Sequence, residues 1–276
     1  MMLFINLLAV VLGLAFGSFV NVIVFRARVP KANLISPSCC LSCGARISAR
    51  DNVPIISWLL LKGKCRSCGA PISVVYPAVE AITAVLFVAF VNWPSPLGAS
   101  RNETECASGI LVTLALWWLA CAGVALAAID LRDFRLPNRL VFSLYAAAAG
   151  SFLAASLFQG DFGAMLRGLL GAGISLLIYG AIVLIAPSGM GVGDLKLSGA
   201  LGLYLGWFGW GALFLGLLFA FALGALFGLG LLLFKKAKVR STIAFGPWMI
   251  LGACLAILFG NSIWEAYLLV LQRAVI

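Results

Sequence analysis

Eight apolar segments dominate the chain and constrain its fold more than any other feature. They lie at 3–25, 77–93, 109–129, 138–158, 165–186, 197–207, 209–234 and 244–260. A helix needs about 20 apolar residues to cross a bilayer. The chain is 63% hydrophobic and 10% charged, which excludes the soluble classes. We therefore predict an all-α integral membrane protein, a bundle of about eight transmembrane helices with a zinc-binding loop after the first helix.

Residues 197–234 form one continuous run without a charged residue. We divide it at Gly206-Trp-Phe-Gly209 into a short helix and a long one. The first segment has no Lys or Arg before Arg26, unlike a secretory signal, so we expect a retained helix.

Basic residues predict the orientation of the chain. Of the 19 Lys and Arg residues, 16 fall in the first loop and in alternate loops after it. Such loops face the cytoplasm, so the N-terminus is expected outside. The same distribution accounts for the net charge of +10. We therefore expect contact with membrane lipid and no nucleic-acid partner.

The chain has no histidine. This excludes a Ser-His-Asp triad, a histidine zinc ligand and a His-Glu-x-x-His metalloprotease site. Any catalysis must use a small number of other polar residues.

Five of the eight cysteines lie in the first loop, and four of them form two Cys-x-x-Cys pairs. The pairs are Cys40 with Cys43 and Cys65 with Cys68, and each is followed by glycine. Two such turns can hold one Zn²⁺ with four thiolates. Two disulfides are the alternative, although a reducing cytoplasm disfavours them. Cys39 could exchange with Cys40 as a ligand.

Two aspartates stand where apolar segments meet the predicted cytoplasmic face. Asp130 ends the run Ala125-Leu-Ala-Ala-Ile-Asp130, and Asp194 follows Gly189-Met-Gly-Val-Gly193. Alternate glycines let the backbone bend sharply and approach a substrate. Two converging carboxylates can share a proton and act as general base and general acid, as in aspartic proteases.

Other interpretations of these aspartates remain open. Asp130 could cap its helix or pair with Arg132 or Arg135, and Asp194 could pair with Lys196 or cap the next helix. Asp133 is a rival for the first position. An ion or proton transporter would also use intramembrane carboxylates, but the other segments carry almost no polar residues to form a pathway.

Five motifs in this order resemble the type 4 prepilin leader peptidases, and the resemblance covers nearly the whole chain. The motifs are Gly17-Ser-Phe-Val-Asn-Val-Ile-Val-Phe-Arg26; the paired Cys-x-x-Cys loop with Pro71-Ile-Ser-Val-Val-Tyr-Pro-Ala-Val-Glu80; Ile129-Asp-Leu-Arg-Asp-Phe-Arg-Leu-Pro137; Gly189-Met-Gly-Val-Gly-Asp-Leu-Lys196; and Ala244-Phe-Gly-Pro247.

The resemblance implies cleavage of prepilins and pseudopilins by Asp130 and Asp194, followed by methylation of the new N-terminal amine with S-adenosylmethionine. It also implies a multi-pass protein of the bacterial inner membrane whose active site faces the cytoplasm. A peptidase without methylation, whose cysteine loop serves structure or docking, is one alternative. A non-enzymatic transporter or assembly subunit is another.

The resemblance associates methylation with the N-terminal spans and the first loop. Gly17, Asn21, Arg26 and Glu80 are the candidates there. Each also has a structural interpretation: close helix packing, an interhelical hydrogen bond, interface anchoring and pairing with a basic residue, respectively. We divide the chain into a first helix (1–25), a cysteine loop (26–76) and a seven-helix peptidase domain (77–276).

Overall fold

The computed structural model describes residues 2–27, 38–93, 102–186, 189–234 and 244–275, and these residues are mostly helical. A 3₁₀ turn occupies Ala49–Asp51. The helices are α1 (Met2–Arg26), α2 (Ile56–Leu60), α3 (Val75–Asn92), α4 (Glu103–Asp133), α5 (Asn138–Gln159), α6 (Gly163–Ile185), α7 (Val192–Phe208), α8 (Trp210–Leu233) and α9 (Gly246–Val275). The expected all-α membrane fold is confirmed.

Seven of the described helices are long and apolar enough to cross a membrane, namely α1, α3, α4, α5, α6, α8 and α9. The eighth predicted segment is the 17-residue helix α7, which is about 25 Å long. It is one residue shorter than α3, which is the shortest of the seven. It runs beside α6 and α9 in the bundle nevertheless.

The long helices pack as consecutive antiparallel pairs. Short connections keep the later pairs close in space, whereas α1 and α3 are joined by the cysteine loop. The pairs are α1 with α3, α4 with α5, α6 with α7, and α8 with α9. In each of the first two pairs, a polar contact joins the two helices near one end of the bundle. Asn92 Nδ2 donates to Asn6 Oδ1 at 2.6 Å, and Gln159 Nε2 donates to Ser108 Oγ at 2.8 Å.

Glycines allow two of these pairs to approach at backbone distance. A Cβ placed on Gly17 of α1 would lie 2.6 Å from Glu80 Cα of α3. A Cβ on Gly171 of α6 would lie 2.5 Å from Gly202 O of α7. Small residues at helix contacts are the usual packing device in membranes, where van der Waals contact drives helix association.

Large apolar side chains cover the outside of the bundle. Leu177 is 74% exposed, and Leu184 and Ile185 are each 84% exposed. Side chains of this kind are covered by lipid in a membrane protein and would be unfavourable in water. The outer surface therefore agrees with a multi-pass membrane protein.

Several helix boundaries differ from the sequence-based expectation. Helix α7 begins at Val192, before the expected residue 197, so Asp194 lies in its first turn and not in an irregular glycine segment. Helix α9 continues to Val275 past the expected end at 260. Seven of the basic residues used for the orientation lie outside the described residues: Arg28, Lys31, Arg101, Lys235, Lys236, Lys238 and Arg240.

Candidate active site and metal centre

Asp130 lies in the last turn of α4, at the end of the bundle where α7 and α9 begin. Helix α4 stops at Phe134, which adopts a left-handed conformation with φ 51°. The Phe134 N–H donates to Asp130 O at 2.9 Å and closes this helix end. A left-handed conformation is uncommon for a non-glycine residue and is often found at functional sites.

A backbone N–H from the start of α9 holds the Asp130 side chain. The Gly246 N–H donates to Asp130 Oδ2 at 3.1 Å, and the aspartate is 6% exposed. A Cβ on Gly246 would lie 2.8 Å from Oδ2, so only glycine fits this approach. The free N–H groups at a helix N-terminus favour an anionic partner.

Asp194 lies in the first turn of α7. Its Oδ2 accepts a hydrogen bond from the Gly191 N–H at 3.2 Å, which is the backbone half of a capping box. The expectation that Asp194 could cap its helix is therefore partly realised. Within the described residues, the observed ion pair is between Arg66 and Asp51, and neither Asp130 nor Asp194 joins one.

Asp130 and Asp194 line the same cleft, which has a volume of about 470 Å³. Their charges are close enough to interact. The other lining residues are Phe134, Arg135, Leu136, Pro137, Asn138, Gly191, Gly193 and Lys196. Asp133, the rival for the first position, is not among them.

Helices α5 and α7 are joined at the rim of this cleft. Lys196 Nζ donates to Asn138 Oδ1 at 3.2 Å, and the Tyr145 hydroxyl donates to Lys196 O at 2.9 Å. Lys196 is thus directed to Asn138 and does not neutralise Asp194. Both carboxylates therefore line the cleft without an ion-pair partner among the described residues.

The four predicted cysteine ligands form one compact cluster. The Sγ atoms of Cys40, Cys43, Cys65 and Cys68 all lie within 4.8 Å of one another, and Cys40 Sγ is 3.9 Å from Cys68 Sγ. Zinc–sulfur bonds of about 2.3 Å in a tetrahedron give sulfur–sulfur distances of about 3.8 Å. The donor set and its spacing therefore fit a tetrahedral Zn²⁺ ion.

The two Cys-x-x-Cys turns have the same backbone hydrogen bonds. Gly44 N–H donates to Cys40 O, and Gly69 N–H donates to Cys65 O, both at 2.9 Å. Both glycines have φ 71°, a left-handed conformation that glycine adopts without steric cost. Cys39 pairs through its backbone with Arg46 and lies outside the cluster.

The electrostatics of the cluster suit a bound cation. Hydrogen bonds from the amides of Cys43 and Ser42 lower the pKa of the Cys40 thiol to about 6. The amide of Ala70 acts in the same direction on Cys68, but hydrogen bonds with the neighbouring cysteines and burial raise its pKa to about 11. The thiols of Cys40 and Cys68 therefore do not ionise together without a compensating positive charge.

A second polar cluster lies between α1, α3 and the cysteine loop. Glu80 is 8% exposed, and its Oε2 accepts a hydrogen bond from the Ile55 N–H at 2.8 Å. Ser18 and Asn21 also interact with this carboxyl group, and Asn21 Nδ2 donates to Tyr76 O at 3.0 Å. The structure brings three of the four methylation candidates together here: Gly17, Asn21 and Glu80.

The candidates differ in their surroundings. Gly17 contacts the backbone of Glu80, which matches its packing interpretation. Arg26 is half-buried at the end of α1. Glu80 is the buried carboxylate of the cluster.

Two features of these sites were not assigned from the sequence. The first is the Gly246 N–H, although Ala244-Phe-Gly-Pro247 was noted as a motif; a Gly-Pro pair at a helix start is the available signal. The second is Ile55, which has φ 60° and ψ −51° and whose neighbour Ile56 N–H donates to Pro54 O at 2.6 Å. This is a strained γ-turn, and a run of apolar residues does not predict one.

Comparison with known proteins identifies the family. The model of the bacterial peptidase A24 N-terminal domain matches residues 11–93, and the model of the type IV leader peptidase family matches residues 110–229. Among the relatives is a prepilin leader peptidase/N-methyltransferase from Aeromonas hydrophila, 35% identical over 93% of this chain and 91% of the relative.

A second relative, from Bacillus subtilis strain 168, has the same name and is 33% identical over 94% of this chain and 96% of its own. No solved structure matches the chain. The chain belongs to the type IV leader peptidase family.

Proposed function

We propose that this protein removes the leader peptide of prepilins and pilin-like proteins and then methylates the new N-terminal residue. The observation that carries the cleavage step is the joint placement of Asp130 and Asp194 in one cleft, each held by a backbone N–H at a helix N-terminus. Relatives that match over 93% and 94% of this chain carry both activities in their names.

The proposed cleavage uses the two carboxylates as an acid and a base. One carboxylate removes a proton from a water molecule, which attacks the carbonyl of the scissile peptide bond. The other donates its proton to the leaving amide nitrogen. No metal or histidine takes part. The position of the cleft at the end of the helices suits a substrate with an apolar helix in the bilayer and its cleavage point at the surface.

Cleavage can be tested by co-expression with a prepilin. We expect Asp130→Asn and Asp194→Asn each to accumulate normally and to lower cleavage at least about 1,000-fold, since each removes one half of the acid–base pair. Asp133→Asn is the matched control and should cleave as the wild type does. Normal cleavage by either dyad variant would disprove the mechanism, and a wild-type chain that cleaves nothing would favour a transporter or assembly subunit.

We assign methylation to the polar cluster at Glu80. S-adenosylmethionine would supply the methyl group at this site. Glu80 would accept the proton that the N-terminal ammonium must lose before its nitrogen can be methylated. The support is a buried carboxylate on the cysteine-loop side of the bundle that interacts with Ser18 and Asn21 and forms no ion pair with a described residue. Asn21 would orient Glu80, and Gly17 would keep α1 close to Glu80. Arg26 would help to bind S-adenosylmethionine near this cluster.

Glu80→Gln separates the two reactions. Glutamine keeps an oxygen to accept the Ile55 N–H but cannot act as a base. We expect normal cleavage and methylation lowered about 100-fold, measured by the mass of the processed N-terminus. Asn21→Ser serves as a graded comparison, with a smaller loss. Full methylation by Glu80→Gln would contradict this assignment, and an unmethylated product from the wild type would favour a peptidase alone.

Zinc is the metal that the cysteine cluster fits best, and its role would be to hold the loop against α3. We also propose that the protein resides in the bacterial inner membrane, with its N-terminus outside and both sites on the cytoplasmic face. The support for this orientation is that the ends carrying Asp130, Asp194 and Glu80 coincide with the basic loops.

A further inference from the structure

Helix α2 exposes an apolar face that the described parts of the bundle leave uncovered. Ile56, Leu59 and Leu60 are 54%, 60% and 76% exposed. The other side of the helix is fixed to the cysteine loop. Ser57 is 6% exposed, and its hydroxyl donates to Arg50 O at 3.0 Å, while Trp58 Nε1 donates to Ile72 O at 3.1 Å.

The start of α2 lies where a membrane helix enters the bilayer. Ile55, next to α2, donates its N–H to Glu80 Oε2 at 2.8 Å. Glu80 is five residues into α3, about 8 Å along its axis. Helix α3 is one of the candidate membrane spans. Val74 and Val75, at the start of α3, are also apolar and exposed, at 63% and 47%.

The loop segment that carries this apolar face has an excess of positive charge. The described residues 38–74 contain a single acidic residue, Asp51, and it is paired with Arg66 at 2.7 Å. The remaining basic residues of this segment are all exposed: Arg46, Arg50, Lys62 and Lys64. An apolar helix face flanked by Lys and Arg is the pattern of a segment that binds an anionic membrane surface.

We propose that α2 is an interfacial anchor. Ile56, Leu59 and Leu60 insert into the boundary between headgroups and acyl chains of the adjoining leaflet. Lys62 and Lys64 bind the phosphate groups of anionic lipids. Anionic lipid satisfies both the apolar face and the charges, and the anchor would set the height of the cysteine loop above the bilayer.

The anchor can be tested with the full chain in nanodiscs of phosphatidylcholine, with or without phosphatidylglycerol. A photocrosslinking benzoylphenylalanine replaces Leu60 in one sample and Ser67, an exposed residue of the second Cys-x-x-Cys turn, in the control. We expect lipid adducts at 60 to exceed those at 67 by about fivefold or more. Equal lipid labelling at the two positions, or adducts of position 60 with protein alone, would overturn the proposal.

The role of the lysines has its own test. In the chain labelled at position 60, Lys62→Gln with Lys64→Gln should weaken the binding of phosphatidylglycerol about tenfold or more, measured by native mass spectrometry. Arg273→Gln, at the far end of α9, is the matched control and should leave binding unchanged. Unaltered lipid binding by the double variant would contradict the headgroup assignment. Zinc content and leader cleavage by each variant show that the cysteine loop and the cleft are folded, so a loss of lipid binding cannot be attributed to misfolding.

Discussion

At the scale of single residues, the site depends on backbone donors at helix starts. Asp130 is positioned by the Gly246 N–H, and Pro247, which follows, has no N–H of its own. The carboxylate therefore approaches the beginning of α9 through one specific group. Asp194 is held in the same way by the Gly191 N–H. Main-chain N–H groups therefore orient both aspartates, without a side-chain donor from the described residues.

Gly246→Ala should abolish cleavage although it removes no polar side chain. The added Cβ would lie 2.8 Å from Asp130 Oδ2 and force the carboxylate away from the N–H. We expect a loss of at least about 100-fold, measured as the rate of prepilin cleavage.

Gly173→Ala is the control for that substitution. A Cβ there has nothing within 4 Å. The variant should retain cleavage and gain up to about 1 kcal/mol of helix stability. Wild-type cleavage by Gly246→Ala would show that the close approach to Asp130 is dispensable.

At the scale of elements, α1, α3 and the cysteine loop form one unit. Gly17 allows α1 to contact α3 at Glu80, and the Glu80 side chain in turn holds the loop through Ile55. The family model for the N-terminal domain ends at residue 93, so it also groups α3 with the loop. A substitution in one of these elements should therefore change the stability of the others.

Gly17→Ala should destabilise this unit. Its Cβ would lie 2.6 Å from Glu80 Cα, and backbone atoms cannot move aside as a flexible side chain can. Overpacking of this kind costs about 1–3 kcal/mol. Thermal unfolding in detergent measures it, with Gly150→Ala as the control because a Cβ there contacts nothing. Equal stability of the two variants would contradict the tight α1–α3 contact.

The cysteine loop should bind about one zinc ion per chain. Metal analysis of the purified protein checks this value. Cys65→Ser should lower the zinc content because it removes one of the four clustered thiols. Cys39→Ser should leave it unchanged, since Cys39 lies outside the cluster. A folded, metal-free wild type would refute the zinc assignment, and zinc loss on Cys39→Ser would show that Cys39 replaces Cys40.

At the scale of the whole molecule, the helix pairs bring three distant segments to one end. Asp130, Asp194 and Gly246 end or begin α4, α7 and α9, which are far apart in sequence. This convergence requires α7 to run the full depth of the bundle although it has only 17 residues. Seven spans without α7 would put Asp194 and Gly246 on opposite sides of the membrane.

Reporter fusions test this topology. Alkaline phosphatase fused after Gly160 or Gly209 should be active, because those turns are expected outside. Fusions after Phe134 or Gly189 should be inactive, because we propose that the cleft lies on the cytoplasmic face. Activity after Gly189 would contradict the predicted orientation. An inactive fusion after Gly209 would show that α7 does not cross the membrane.

The sequence alone determined the class of this protein, its family, and the residue types available for chemistry. Hydropathy is a local property, so apolar segments and basic loops can be read without coordinates. The spacing of the Cys-x-x-Cys pairs likewise predicted a four-thiol cluster. Each turn is a local structure that its own sequence favours, and only the contact between the two turns depends on the tertiary structure. The absence of histidine excluded histidine-based catalysis and left the carboxylates as candidate acids and bases.

Only the tertiary structure decided which groups meet. The Gly246 N–H donates to Asp130, which is 116 residues away in the chain. Nothing in the sequence around a glycine predicts which distant side chain its N–H will bind. The contact of Ile55 with Glu80 depends on a strained turn that its apolar sequence does not favour. Asp194 lies inside a helix because Gly191 and Asp194 cap it, and the capping prevailed over the flexibility of three glycines. Packing decided these contacts because they join segments with no local signal for each other.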